Sequence, residues 1–157
     1  MAGFGRALSV VGGLLLVLVG VSAGAVPVQR SASAARAPEP VVLRVMPLGA
    51  SSTVGEGSPD TEGYRGPLQA MLARDGFTVD MVGSRHGGAV SVRDHDYEGY
   101  GGMTLADLLP RVAGLVRSAA PDVVLLHVGT NDLLKGASAE EAARRLDKVL
   151  AEIVSAH

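Results

Sequence analysis

Residues 41–53 read "VVLRVMPLGASST": an apolar, β-branched run that stops at Gly49 and gives way to Ala50, Ser51, Ser52 and Thr53. The run has the length and composition of a strand, and the glycine closes it. The hydroxyls behind it have two readings. They form a Ser/Thr turn that ends the strand, or Ser51 is displayed on a tight turn as a nucleophile. In the second case the backbone N–H groups that follow face whatever binds the hydroxyl. Thr53 stands where a G-x-S-x-G elbow would need its final glycine, so this is not that elbow.

Outward from this strand, "YRGPLQAMLARDG" (64–76) places Leu68, Met71 and Leu72 on one side before a stop at Gly76, which predicts a short helix. "FTVDMVGS" (77–84) alternates and ends at Gly83, a second strand. Residues 84–103 are rich in Gly, His, Asp and Tyr and lack periodicity, so they read as one long functional loop. "TLADLLPRVAGLVRSAAP" opens with Thr104 and Asp107 at capping-box spacing. Its apolar stripe is Leu105, Leu108, Leu109, Val112, Leu115 and Val116; Pro110 removes a backbone donor and is expected to kink the helix. "DVVLLHVG" (122–129) is a third strand, apolar enough to be buried on both faces. Ser138 and Glu141 make a second capping box ahead of a helix with Leu146, Val149, Leu150, Ile153 and Val154 at helical spacing.

The order β-α-β-loop-α-β-α implies an α/β fold, a parallel sheet with helices on its faces. Ligands bind such sheets at the carboxyl ends of the strands. The first and third strand ends carry "PLGASST" and "HVGTND".

Composition narrows the partners. The net charge is -2, both signs are scattered, and there is no Trp, so nucleic acid and aromatic stacking platforms are disfavoured. Residues 1–25 hold Arg6, an apolar core and the small-residue run Ala23-Gly24-Ala25, the pattern of a cleaved secretory signal. An uncleaved membrane anchor is the alternative, since the apolar core approaches a membrane-spanning length. Residues 26–40, rich in Ala, Ser and Pro, read as a flexible linker, leaving 41–157 as the folded domain. An exported chain without cysteine has no disulfide staple and no thiol nucleophile, so stability rests on the core.

Two further stretches bear on chemistry. "GTND" (129–132) offers the Asn131 side-chain amide as an oxyanion donor. Its plainer reading is an Asx turn in which Asn131 and Asp132 cap locally. "EGYGGMT" (98–104) sets Gly101 and Gly102 before a helix N-terminus, where a bare N–H can approach a ligand, or where a loop tip simply bends.

Taken in order, these stretches resemble the SGNH, or GDSL-type, hydrolase family, across about residues 42–157. The resemblance implies a three-layer, flavodoxin-like α/β fold with sheet order 2-1-3-4-5. It implies Ser51 as nucleophile, and Ser51 N–H, Gly102 N–H and the Asn131 amide as the oxyanion hole, with no metal and no cofactor. "RVMPLG", "GYRGPL" (63–68) and "EGYGGMT" are most similar to the branch called carbohydrate esterase family 3, which deacetylates plant polysaccharides. The implied function is a secreted serine esterase for short-acyl, chiefly acetyl, esters. The alternatives are a non-catalytic carbohydrate- or lipid-binding protein on the same fold and a lipase or lysophospholipase-type hydrolase. The implied partner is an ester substrate such as an acetylated polysaccharide, with the membrane met only through the export signal and the oligomeric state open.

Two departures from the family pattern stand out. Ala50 occupies the position of the usual Asp, which affects the loop rather than the nucleophile. No D-x-x-H follows Asn131, and a serine needs such a base. His86 and His95 fall in loops, His127 within the third strand, and His157 at the last position, none inside a base motif. The expectation is a chain truncated before the fourth and fifth strands, inactive by itself, with the third strand as an open, aggregation-prone edge.

Overall fold

A computed structural model describes residues 41–88 and 92–157. The signal segment and the linker, residues 1–40, lie outside the described residues.

The fold begins with β1 (Val42–Gly49), followed by a four-residue helix α1 (Ser51–Val54) and by α2 (Arg65–Arg74). Next come β2 (Thr78–Met81), β3 (Arg85–His86), β4 (Asp96–Gly99), α3 (Leu105–Ala119) and β5 (Val123–His127). The short α4 (Thr130–Leu134) and the long α5 (Ala139–Ala156) complete it.

β1 is the central strand. It pairs in parallel with β2 over Val42–Val45 on one side and with β5 over Val45–Gly49 on the other. That is the expected order 2-1-3 of the three strands read from sequence. The long loop expected over 84–103 instead contains two strands. β4 runs parallel to the last two residues of β1, where β2 has ended, and β3 pairs antiparallel to β4, so the sheet is mixed. The pattern hid β4 because "DYEG" is short and charged. Its Glu98 is nevertheless buried, because Ser84 N and Oγ donate to the carboxylate at 2.7 and 3.0 Å and Tyr100 Oη donates as well.

The largest apolar cluster lies on the α3 and α5 face of the sheet. Met46, Leu48 and Ala50 of the β1 segment meet Leu108, Val112 and Val116 of α3 and Val149 of α5. The α3 stripe behaves as its spacing predicts: Leu105, Leu108, Val112 and Val116 are buried, and Leu109 and Leu115 half-buried. The helix is continuous through Pro110. Its capping box is complete, with Thr104 Oγ1 accepting from Asp107 N at 3.1 Å and Asp107 Oδ2 accepting from Thr104 N at 3.0 Å. The second box is half formed. Ser138 Oγ accepts from Glu141 N at 3.1 Å, but the Glu141 carboxylate turns to Arg145 one helical turn on.

α2 departs from its predicted face. Met71 is exposed and Leu68 and Leu72 only half-buried, whereas Arg65 and Gln69, at i and i+4, are buried. Arg65 donates to the carbonyls of Gly87, Val54 and Thr61 at 2.9, 3.2 and 3.2 Å and lies over the Tyr97 ring. Burial lowers the pKa of this guanidinium, the cost of placing a cation inside.

β5 is an edge strand among the described residues, not one buried on both faces. Val123 is exposed, as is His127, and Val124 to Leu126 are half-buried. An apolar groove of about 600 Å³ runs beside it, lined by Tyr64, Leu68, Met71, Leu125 and His127. A second, of about 530 Å³, lies at its end under Leu133, Leu134 and Leu146.

Candidate active site

β1, β4 and β5 are parallel, so their carboxyl ends share one edge of the sheet. Gly49 stands in register with Gly99 on one side and His127 on the other. Three residues named from the sequence follow directly. Ser51 comes two positions after Gly49, Gly102 three after Gly99, and Asn131 four after His127.

Backbone bonds knit these ends. Ala50 N–H donates to the His127 carbonyl at 3.0 Å, and Tyr100 N–H donates to the Gly49 carbonyl at 2.9 Å. A side chain at Gly49 has no room, since a Cβ there would lie 2.1 Å from the His127 carbonyl oxygen. Glycine is therefore required for the chain to turn this close to β5.

Ser51 opens α1, half-buried, and its carbonyl accepts from Gly55 N and Glu56 N at 2.9 and 3.0 Å. Thr53 and Val54 N–H donate back to Ala50 O at 3.0 and 3.2 Å. This one turn holds without a side-chain cap, since the position of the family's usual Asp is filled by buried Ala50. Thr53 is fully buried, with its hydroxyl 3.4 Å from Tyr64 Oη. Burial raises the Tyr64 pKa, so the phenol stays neutral at ordinary pH. Ser52 is exposed.

Gly102 is exposed and has φ +72°, a left-handed turn that glycine adopts without strain. Asn131 lies in the first turn of α4, and its Nδ2 donates to the Met103 carbonyl at 2.9 Å. Asp132, beside it, is buried and accepts from Leu105 N and from Arg145, both at 2.8 Å. Neither side chain caps locally, so the Asx-turn reading of "GTND" does not hold. Sequence reasoning passed over Asp132, Arg65 and Glu98. The signal available was an acidic or basic residue inside a glycine-flanked stretch.

The histidines divide. His86 is on β3 rather than in a loop; its Nδ1 is 2.7 Å from Asp96 Oδ1, and its ring faces His95. This His–Asp pair is at the start of β4, in register 86 to 96, away from the end that carries Gly99. His157 lies beside Val116 and Asp122, near the start of β5 and the opposite edge of the sheet. His127 ends β5 with its ring 6.4 Å from that of Tyr64. Among the described residues, Ser51 Oγ has no hydrogen-bond partner, and no group of three or more His, Cys, Asp or Glu is placed to hold a metal ion.

The profile of the GDSL-like Lipase/Acylhydrolase family matches residues 47–157. A multidomain esterase from Ruminococcus flavefaciens is 32% identical over 130 residues, covering 69% of this chain and 16% of that protein. A family 3 carbohydrate esterase from Clostridium thermocellum superposes with a TM-score of 0.65 at 32% identity, over 71% of this chain and 57% of that one. A carbohydrate esterase family 3 structure from Talaromyces cellulolyticus gives 0.64 at 26% identity, over 73% and 57%. The chain thus spans little more than half the length of these solved relatives and a small part of the curated one. With an SGNH-type α/β fold and these relatives, the chain belongs to the GDSL-like lipase/acylhydrolase family of SGNH hydrolases.

Proposed function

We propose that this chain belongs to the catalytic domain of an exported serine esterase that removes short acyl groups, chiefly acetyl, from polysaccharide. One observation carries the reading: Gly49, two residues before Ser51, is clasped in register between Gly99 and His127, so the turns bearing Ser51, Gly102 and Asn131 meet at one edge. In the proposed reaction Ser51 Oγ bonds to the ester carbonyl carbon. The carbonyl oxygen takes the negative charge and is held by Ser51 N–H, Gly102 N–H and the Asn131 amide. The C–O bond to the alcohol then breaks, and the alcohol leaves with the proton taken from Ser51. Water cleaves the acyl-serine and releases the carboxylate.

The base is proposed to be a histidine oriented by a carboxylate. The unpartnered Ser51 Oγ supports that. Preference for short acyl groups rests on the carbohydrate esterase relatives. Export rests on the signal pattern of residues 1–25, and the N-terminal sequence of protein recovered from the medium checks it, with a start after Ala25 expected.

The test compares acetyl with long-chain acyl esters, and acetylated with alkali-deacetylated xylan, using the product of the complete reading frame. Acetate release from the short esters and from acetylated xylan is expected. Binding to xylan with no acetate release would instead favour a non-catalytic carbohydrate-binding protein.

A further inference from the structure

We infer that Asp132 is a positioning residue for the oxyanion pocket, acting through the segment Gly102–Leu105; this rests on the esterase reading above. α4 has five residues, too few to be stable by itself. It enters from Gly129 at φ +118°, a conformation that glycine adopts and other residues rarely do. Yet three of its side-chain positions grip one loop. Lys135, its C-cap, donates from Nζ to Gly102 O at 3.3 Å. Asn131 donates to Met103 O at 2.9 Å, and Asp132 accepts from Leu105 N at 2.8 Å. The oxyanion loop and the oxyanion amide are therefore one unit, closed by α4.

Asp132 anchors that unit to the rest of the fold. It is 1% exposed, and its second oxygen receives Arg145 from α5 at 2.8 Å. Arg145 is one turn before Val149, which sits at the centre of the core. The carboxylate also lies at the N-terminus of α3, where the helix dipole favours a negative charge. One of the two Asn131 amide hydrogens is spent on Met103 O, which aims the other. The direction of that second hydrogen depends on how α4 is rotated, and the Asp132–Arg145 pair fixes the rotation.

Asn131 is the only asparagine in the chain, and Gln29 and Gln69 are the only glutamines. Selective ¹⁵N labelling of these amides gives a direct readout by nuclear magnetic resonance. Gln69 is the internal control, because its Nε2 is held by Asp94 O at 2.8 Å away from this site. The variants are Arg145→Met, Asp132→Ala and, as the conservative change, Arg145→Lys. In Arg145→Met and Asp132→Ala the Asn131 amide is expected to exchange with solvent at least about ten-fold faster, and Gln69 to stay within about two-fold. Arg145→Lys is expected to restore slow exchange at Asn131. If Asp132→Ala fails to fold, Arg145→Met decides. Unchanged Asn131 exchange would overturn the inference, as would an equal rise at Asn131 and Gln69, which marks mere loss of stability. Acetyl-ester turnover is read in the same series on the complete reading frame, where kcat is expected to fall at least about ten-fold with KM within about two-fold. A wild type without turnover would sink the esterase reading, while the amide exchange would still decide the positioning.

Discussion

The Asn131 side-chain amide donates to the Met103 carbonyl at 2.9 Å, across 28 positions of sequence. This bond joins the turn after β5 to the turn that carries Gly102 and fixes the amide plane. In the esterase reading the second amide hydrogen serves the oxyanion. Asn131→Ala in the product of the complete reading frame is then expected to lower kcat by about 10²–10³ and leave KM nearly unchanged. Steady-state kinetics on an acetyl ester check it, and a wild-type kcat in the variant would remove Asn131 from the mechanism.

A second prediction concerns Gly49. An added Cβ would sit 2.1 Å from His127 O and 2.7 Å from Thr53 Oγ1, and the carbonyl belongs to the sheet backbone, which cannot step aside. Gly49→Ala is expected to destabilise the fold by about 1–3 kcal/mol and to part the turn after β1 from β5. Urea unfolding measures the first effect. An unchanged midpoint would mean that the close approach of β1 and β5 is not as described.

The core gives a sharper contrast. Leu108 is fully buried against Met46 and Leu48, so Leu108→Ala is expected to cost about 2–5 kcal/mol. Leu134 is 78% exposed, and Leu134→Ser is expected to change stability by less than about 0.5 kcal/mol. The same exposure has a second consequence. Val123, Leu133 and Leu134 stand exposed beside β5, whose outer edge is unpaired among the described residues, the setting in which chains associate through their strands. Residues 41–157 are expected to aggregate at micromolar concentration, and Val123→Lys to reduce it, by light scattering. A monomer unfolding in two states with ordinary domain stability would count against an open edge.

Much of this was legible in the sequence, for identifiable reasons. β1, β2, β5 and the stripe of α3 are built from apolar runs whose period and composition place them in the sequence. The order β2-β1-β5 is what the family resemblance implies, whereas the alternation of strands and helices gives only a parallel sheet. β4 was not legible, because it is short and one of its buried side chains, Glu98, is a carboxylate whose burial only three-dimensional partners (Ser84 and Tyr100) make tolerable. α2 misled for a related reason: its inward face is Arg65 and Gln69, whose partners include carbonyls 11 to 25 positions away. At the site, Ser51, Gly102 and Asn131 were visible as motif residues. Asp132 was not, since one acidic residue in "GTND" gives no hint that Arg145 and Leu105 N will meet it.

Acid should loosen the α3 N-terminus. The Thr104 hydroxyl and backbone N–H bond to the Asp107 carboxylate and hold its pKa below the ordinary 3.8. A carboxyl depressed in the folded state adds stability that is present above its unfolded value and lost as pH falls through the folded value. The contribution is therefore expected to be constant at neutral pH and to decline as pH falls below about 4. Thr104→Ala should be destabilising at pH 7 and its penalty should shrink at pH 3. Denaturation at the two pH values checks this, and an equal penalty at both would show that the carboxylate is not involved.

The central claim is that the turn after β1 exists to present Ser51. The most direct measurement is acetyl-ester hydrolysis by the product of the complete reading frame and by its Ser51→Ala variant, with phosphonate labelling located by mass spectrometry. The account expects turnover in the wild type, a loss on the order of 10³-fold or more in Ser51→Ala, and a single labelled residue at Ser51. Turnover that survives Ser51→Ala, or a label on Ser52 or elsewhere, would contradict it.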